Sequence, residues 1–211
     1  MWRMEDVLAV STRPYDPLRP QVCLDETSRQ LLGEVTPSLP PAPGRPARED
    51  YEYVRQGVCN LFLVCEPLAG WRQVMVSARR TRIDWAHSHQ GPGRCPLPGC
   101  RADRAVQDNL NTHTPASLYA AFPPAEAKRL ADRLELHYTP RHGSWLNMAE
   151  IELAVLAGQC LDRRLANQAT LEREAAAWQA ARNRAGRGVN WRFTTEDARI
   201  KLKHLYPTTQ G

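Results

Sequence analysis

The stretch Gln21-Val22-Cys23-Leu24-Asp25-Glu26-Thr27 decides the reading of the fold. Its first four residues form a short apolar run bounded upstream by Pro20, which reads as a buried strand. The run stops at two acidic residues, so the strand delivers carboxylates to the end of a sheet. Leu31 to Val35 can continue the same strand. Pro37 to Pro46 is Pro-rich and reads as a loop.

Two further strands are expected at Val58–Cys65 and Arg72–Val76, joined by Pro67-Leu68-Ala69-Gly70 as an antiparallel hairpin. A short helix is expected from Thr81 to Ala86. Prolines open helices at Pro115–Ala121 and Pro124–Leu134, and Leu134–Tyr138 is a further short strand. Leu146, Ala149, Leu153, Leu156 and Cys160 recur at helical spacing and mark one face of an amphipathic helix. Helices follow at about 170–184 and 195–205. The order places an α/β sheet first and a helical layer last. The units read as an N-terminal arm (1–20), a core (21–165) and a helical C-terminal extension (166–211).

The chain has 211 residues, enough to bury a substantial core, and 24% of them are charged. The longest strongly apolar run, Leu61 to Cys65, is far short of the ~20 residues that span a bilayer. The first residues carry no apolar signal core, so the expectation is a soluble intracellular chain. Cys23, Cys59 and Cys65 lie in strand-like runs and read as reduced packing residues rather than bridges. The net charge is +5, and only Lys128, Lys201 and Lys203 among 28 basic residues are lysine. Arginine forks onto phosphates better than lysine does, so a polyanionic partner is permitted. GC-rich coding accounts for the same bias.

Three acidic residues stand at the ends of elements: Asp25 after the first strand, Asp108 in Gln107-Asp108-Asn109, and Glu150 at the start of the amphipathic helix. Carboxylates gathered from distant parts of a chain repel one another unless a cation lies among them. Two Mg²⁺ ions can activate an attacking oxygen and stabilise a leaving one in phosphodiester chemistry. Neighbours keep alternatives open: Glu26 can replace Asp25, and Glu152 can replace Glu150. Asp108 can be a turn residue, and His113 can orient a phosphate or water, or make a plain hydrogen bond at a helix entry.

The local wording is more specific than the spacing. Cys23-Leu24-Asp25-Glu26-Thr27, Gln107-Asp108-Asn109 with His113, and Tyr138-Thr139-Pro140 followed by Ser144-Trp145-Leu146-Asn147-Met148-Ala149-Glu150 resemble three successive motifs of mariner-type DDE transposases. Arg13-Pro14-Tyr15-Asp16-Pro17, Glu66 to Trp71 and Asp197 to Lys203 are similar to the bacterial insertion-sequence branch. The resemblance covers nearly the whole chain. It implies a ribonuclease-H-like mixed sheet flanked by helices. Asp25, Asp108 and Glu150 would be the catalytic, metal-binding triad for Mg²⁺ or Mn²⁺. The reaction would be DNA nicking followed by strand transfer from the freed 3′-hydroxyl. The implied partners are double-stranded DNA, at transposon ends and target, and a second copy of the chain. The implied place is the bacterial cytoplasm, at the nucleoid. An inactive DNA-binding or regulatory transposase fragment is the alternative.

The chain departs from that pattern in two ways. N-terminal helix-turn-helix modules are expected to be absent, and Gly44-Arg45-Pro46 has only a superficial likeness to a minor-groove hook. Residues 87–105 are rich in Gly, Pro, Arg and Cys where a helix and a buried strand belong. That composition is what GC-rich DNA gives out of frame, so a pair of compensating frameshifts and a decayed copy are expected. A competing reading of the segment is a zinc site from His87, His89, Cys95 and Cys100.

Overall fold

The computed structural model describes residues 1–37, 39–48, 50–90 and 102–207. Helix α1 (Trp2–Ser11) precedes strand β1 (Gln21–Glu34), which pairs antiparallel with β2 (Tyr53–Glu66). Strand β3 (Trp71–Ser77) completes the expected hairpin with β2. Gly70, in the turn between them, has φ +66, and a Cβ there would lie 2.5 Å from the carbonyl oxygen of Gly186. That position needs glycine both for its backbone and for the close approach.

Helix α2 (Arg82–Ser88) starts at Thr81, which forms a capping box with Asp84. Strand β4 (Asp103–Gln107) follows, then α3 (Pro115–Ala121), α4 (Pro124–Arg133) and β5 (Leu134–Tyr138). Helix α5 (Met148–Leu156) ends in a π-helical turn, Ala157–Leu161, and is followed by α6 (Gln168–Ala185), α7 (Thr195–Lys201) and a 3-10 turn, Lys203–Leu205. The sheet order is β3-β2-β1-β4-β5. Strands β4 and β5 run parallel to β1, so the sheet is mixed.

Side-chain alternation along β2 builds two cores. Leu61, Leu63 and Cys65 face a cluster holding Val7 and Leu8 of α1, Ala149 and Leu156 of α5, and Leu171 of α6. Phe62 and Val64 face Trp85, Leu118, Ala127 and Leu130 of α2, α3 and α4. Helices therefore cover both faces of the sheet. Helix α1 packs into the same core as β1, as does Ala198 of α7. Cys23, Cys59, Cys65 and Cys160 are free and buried, as expected for the first three.

Both ends of the stretch 87–105, expected to be irregular, hold regular structure, and residues 91–101 lie outside the described residues. Helix α2 runs through Ser88, and β4 begins at Asp103 in the middle of the sheet. Asp103 and Arg104 enter a central strand because each has a counter-charge: Arg133 lies 3.7 Å from Asp103, and Glu135 lies 3.8 Å from Arg104. Cys95 and Cys100 of the zinc reading lie outside the described residues. His87 packs edge-on against Phe122, and His89 against Trp85. No helix among the described residues is long and apolar enough to cross a membrane.

Candidate functional site

The parallel pairing of β1 and β4 places Cys23 opposite Val106. Asp25 and Asp108 each lie two residues further along, so the two carboxylates come level on neighbouring strands at the carboxyl end of the parallel pair. Ligand sites of open α/β sheets form there. Glu150 arrives from the first turn of α5.

Asn147 makes that arrival specific. Its Oδ1 accepts from the Ala149 amide at 3.2 Å and caps α5, while its Nδ2 donates to the Leu24 carbonyl at 2.8 Å. The helix start is thus tied to the residue before Asp25. Glu152, one turn position away, has another task. It is 2% exposed and pairs with Arg72 Nε at 3.1 Å and Arg182 at 2.8 Å. Between Glu150 and Glu152, only the former is uncommitted.

Burial pushes the Asp25 carboxyl up to about 7; a hydrogen bond from the Glu26 amide opposes this, and the charges of Glu26, Glu150 and Asp108 add to it. Burial also raises Glu26, against the pull of His113. Asp108 and Glu150 are thus close enough to Asp25 for their charges to act on its carboxyl. The donors are all oxygens, which suits a hard divalent cation. Glu26 Oε2 is buried without a hydrogen bond.

His113 stands between two acids. Its Nε2 lies 3.4 Å from Glu26 Oε2, and its Nδ1 lies against Asp108 Oδ1. Ligand atoms of Glu26, Asp108 and His113 lie within 4.8 Å of one another. The imidazole is fixed from several sides. Trp85 stacks on it at 5.8 Å between centroids. The fully buried Gln107 accepts from Trp85 Nε1 at 3.0 Å and donates to the His113 carbonyl at 3.1 Å. Tyr138 Oη donates to the same carbonyl at 2.9 Å. Sequence reasoning singled out His113 but not its clamp of Trp85, Gln107 and Tyr138. The adjacent wording Gln-Asp-Asn was the only sign of it.

The profile of the DDE superfamily endonucleases matches residues 20–172, so the chain belongs to that family. Family membership implies use of a divalent metal. Its fold is the ribonuclease-H-like fold of a mariner-type transposase catalytic core. The Mos1 mariner paired-end complex with Mn is similar at TM-score 0.55 and 15% identity, covering 85% of this chain and 55% of that one. The Mos1 strand transfer complex is similar at TM-score 0.53 and 15% identity, covering 86% and 54%. A pre-cleavage Mos1 transpososome gives TM-score 0.54 at 16% identity, covering 85% and 54%. The chain thus spans about half the length of those proteins. No curated protein matches it.

Proposed function

We propose that this chain is the catalytic domain of a transposase of the bacterial insertion-sequence branch. It would nick DNA in a metal-dependent reaction and transfer the freed 3′-hydroxyl to a target strand. What supports the reading is the strand register that sets Asp25 level with Asp108, together with Glu150 in the first turn of α5, whose start Asn147 ties to Leu24 beside Asp25.

In this reading the three carboxylates hold Mg²⁺ or Mn²⁺. The cation supplies activation of the attacking oxygen and stabilisation of the leaving one. Asp25 would hold the cation as its deprotonated carboxylate. His113 orients Asp108, and Asn147 orients Glu150 by anchoring the start of α5. The partners are double-stranded DNA, at the transposon end and the target, and a second copy of the chain, in the bacterial cytoplasm.

Supercoiled plasmid incubated with the chain and Mn²⁺ tests the reading. Conversion to nicked circles, abolished by Asp25→Asn, Asp108→Asn and Glu150→Gln, is expected. Nicking that persists in those variants would overturn it. Metal binding without nicking would favour the inactive fragment instead.

A further inference from the structure

A cleft of about 380 Å³ opens beside Asp108. Arg3 of α1 and Arg141 and His142 of the turn after β5 also line it. The side chains of Arg3, Arg141 and His142 make no hydrogen bond or ion pair among the described residues. Nearby arginines do find partners: Arg13, Arg19 and Arg104 all pair with Glu135. Three cationic or donor groups that are in no ion pair among the described residues therefore line one cleft with Asp108.

The wall is built to hold its shape. His142 is the only non-glycine residue with positive φ (62°) among the described residues, a conformation that a side chain adopts at a cost. A hydrogen bond from Gly143 N to Pro140 O closes the turn at 2.9 Å. A Cβ on Gly143 would lie 2.5 Å from Pro140 Cγ, so the turn tolerates no side chain there. Thr139 N donates to the carbonyl of Gln107, the residue before Asp108, at 2.9 Å. Turn and Asp108 are thus one unit. Helix α1 is fixed against the same strand by Asp6 and His137 Nδ1 at 2.8 Å.

We infer that this cleft is a phosphodiester subsite that holds the DNA strand leading into the acidic site, with Arg3 and Arg141 on its phosphates and His142 donating to the same backbone. The inference rests on the nuclease reading above and adds to it which residues position the strand. Two features favour a strand over a small anion. Beyond Arg3 and Arg141 a second open hollow of about 380 Å³ continues past Trp2, so the basic groups line a track. Asp108, which shares the first cleft, repels an anion beside it and leaves the phosphates of a passing strand to Arg3 and Arg141. Guanidinium forks on backbone oxygens fix register without reading bases.

Anisotropy of a short fluorescein-labelled duplex, titrated with the full chain over a range of KCl in EDTA, tests this. The double variant Arg3→Ala/Arg141→Ala is expected to flatten the slope of log Kd against log salt by about 2, close to one per lost phosphate contact. Arg3→Lys/Arg141→Lys should keep the slope, which separates lost charge from lost folding. An unchanged slope in the alanine variant overturns the inference, as does a wild-type chain that ignores the duplex. Displacement of the duplex by inorganic phosphate at constant ionic strength would also overturn it in favour of a small-anion site. A chain that binds through these arginines yet nicks nothing overturns only the nuclease reading.

Discussion

The side-chain amide of Asn147 donates to the main-chain carbonyl of Leu24 across 2.8 Å. One contact therefore joins the start of helix α5 to strand β1 at the residue before Asp25, and sets the distance between Asp25 and Glu150. Asn147 is buried, so neither group can turn to water instead. Asn147→Ala removes the helix cap and leaves the Leu24 carbonyl unsatisfied. The expected loss is about 2–4 kcal/mol, read as a fall of about 5–15 °C in Tm. Asn147→Asp keeps the cap but not the donor and should fall between. Thermal denaturation of the three proteins checks this; an unshifted Asn147→Ala melt would contradict it.

Glu150 and Glu152 should behave oppositely. Glu152 neutralises Arg72, which is 1% exposed. Glu152→Ala strands a buried guanidinium and should cost about 3–5 kcal/mol. Glu150→Gln removes a carboxylate that only repels its neighbours in the metal-free chain, so its stability should equal or exceed that of wild type. Urea denaturation in EDTA separates the two.

The pH dependence has a definite sign. The folded Asp25 carboxyl sits near 7 rather than at its ordinary 3.8. A raised carboxyl keeps its proton in the folded chain where the unfolded chain has lost it. Its contribution to stability is complete below pH ~4 and is lost as the pH rises through about 7, up to about 4 kcal/mol in all. Glu26 is shifted in the same direction. The check is the stability difference between wild type and Asp25→Asn in EDTA across that range. It should grow in favour of the variant with rising pH; a flat difference would contradict the shift.

His113 acts through Asp108. Removing the imidazole frees Asp108 and leaves Glu26 without its buried partner. His113→Ala is expected to weaken Mn²⁺ binding by about 10–100-fold, as loss of an outer-shell orienting group does. Calorimetry on the folded variant measures this, and unchanged affinity would assign His113 to packing alone.

Local sequence carried the strands and helices that local chemistry determines. The run Val22-Cys23-Leu24 marked β1, and the α5 stripe with Asn147 before it marked Glu150. Strand β1 extends well past its apolar run because residues 25–30 pair with residues 58–63 of β2 through the backbone, a register no local pattern reports. The start of β4 was hidden because Asp103 and Arg104 look like loop residues until Arg133 and Glu135 are folded against them. The ion pair that occupies Glu152 is not legible beside Glu150 in the sequence, because its partner Arg72 lies on β3. The contact of His113 with Glu26, and the basic cleft built from Arg3 and Arg141, join segments far apart in the chain. Only the fold brings them together.

The central claim is that Asp25, Asp108 and Glu150 hold one divalent site. Calorimetric titration of Mn²⁺ into the purified chain, beside Asp25→Asn, Asp108→Asn and Glu150→Gln, tests it most directly. The account predicts saturable binding by wild type, with proton release below pH ~7 as Asp25 ionises, and loss of binding in all three folded variants. Wild-type affinity in any of the three, or a folded wild-type chain that takes up no metal, would contradict it.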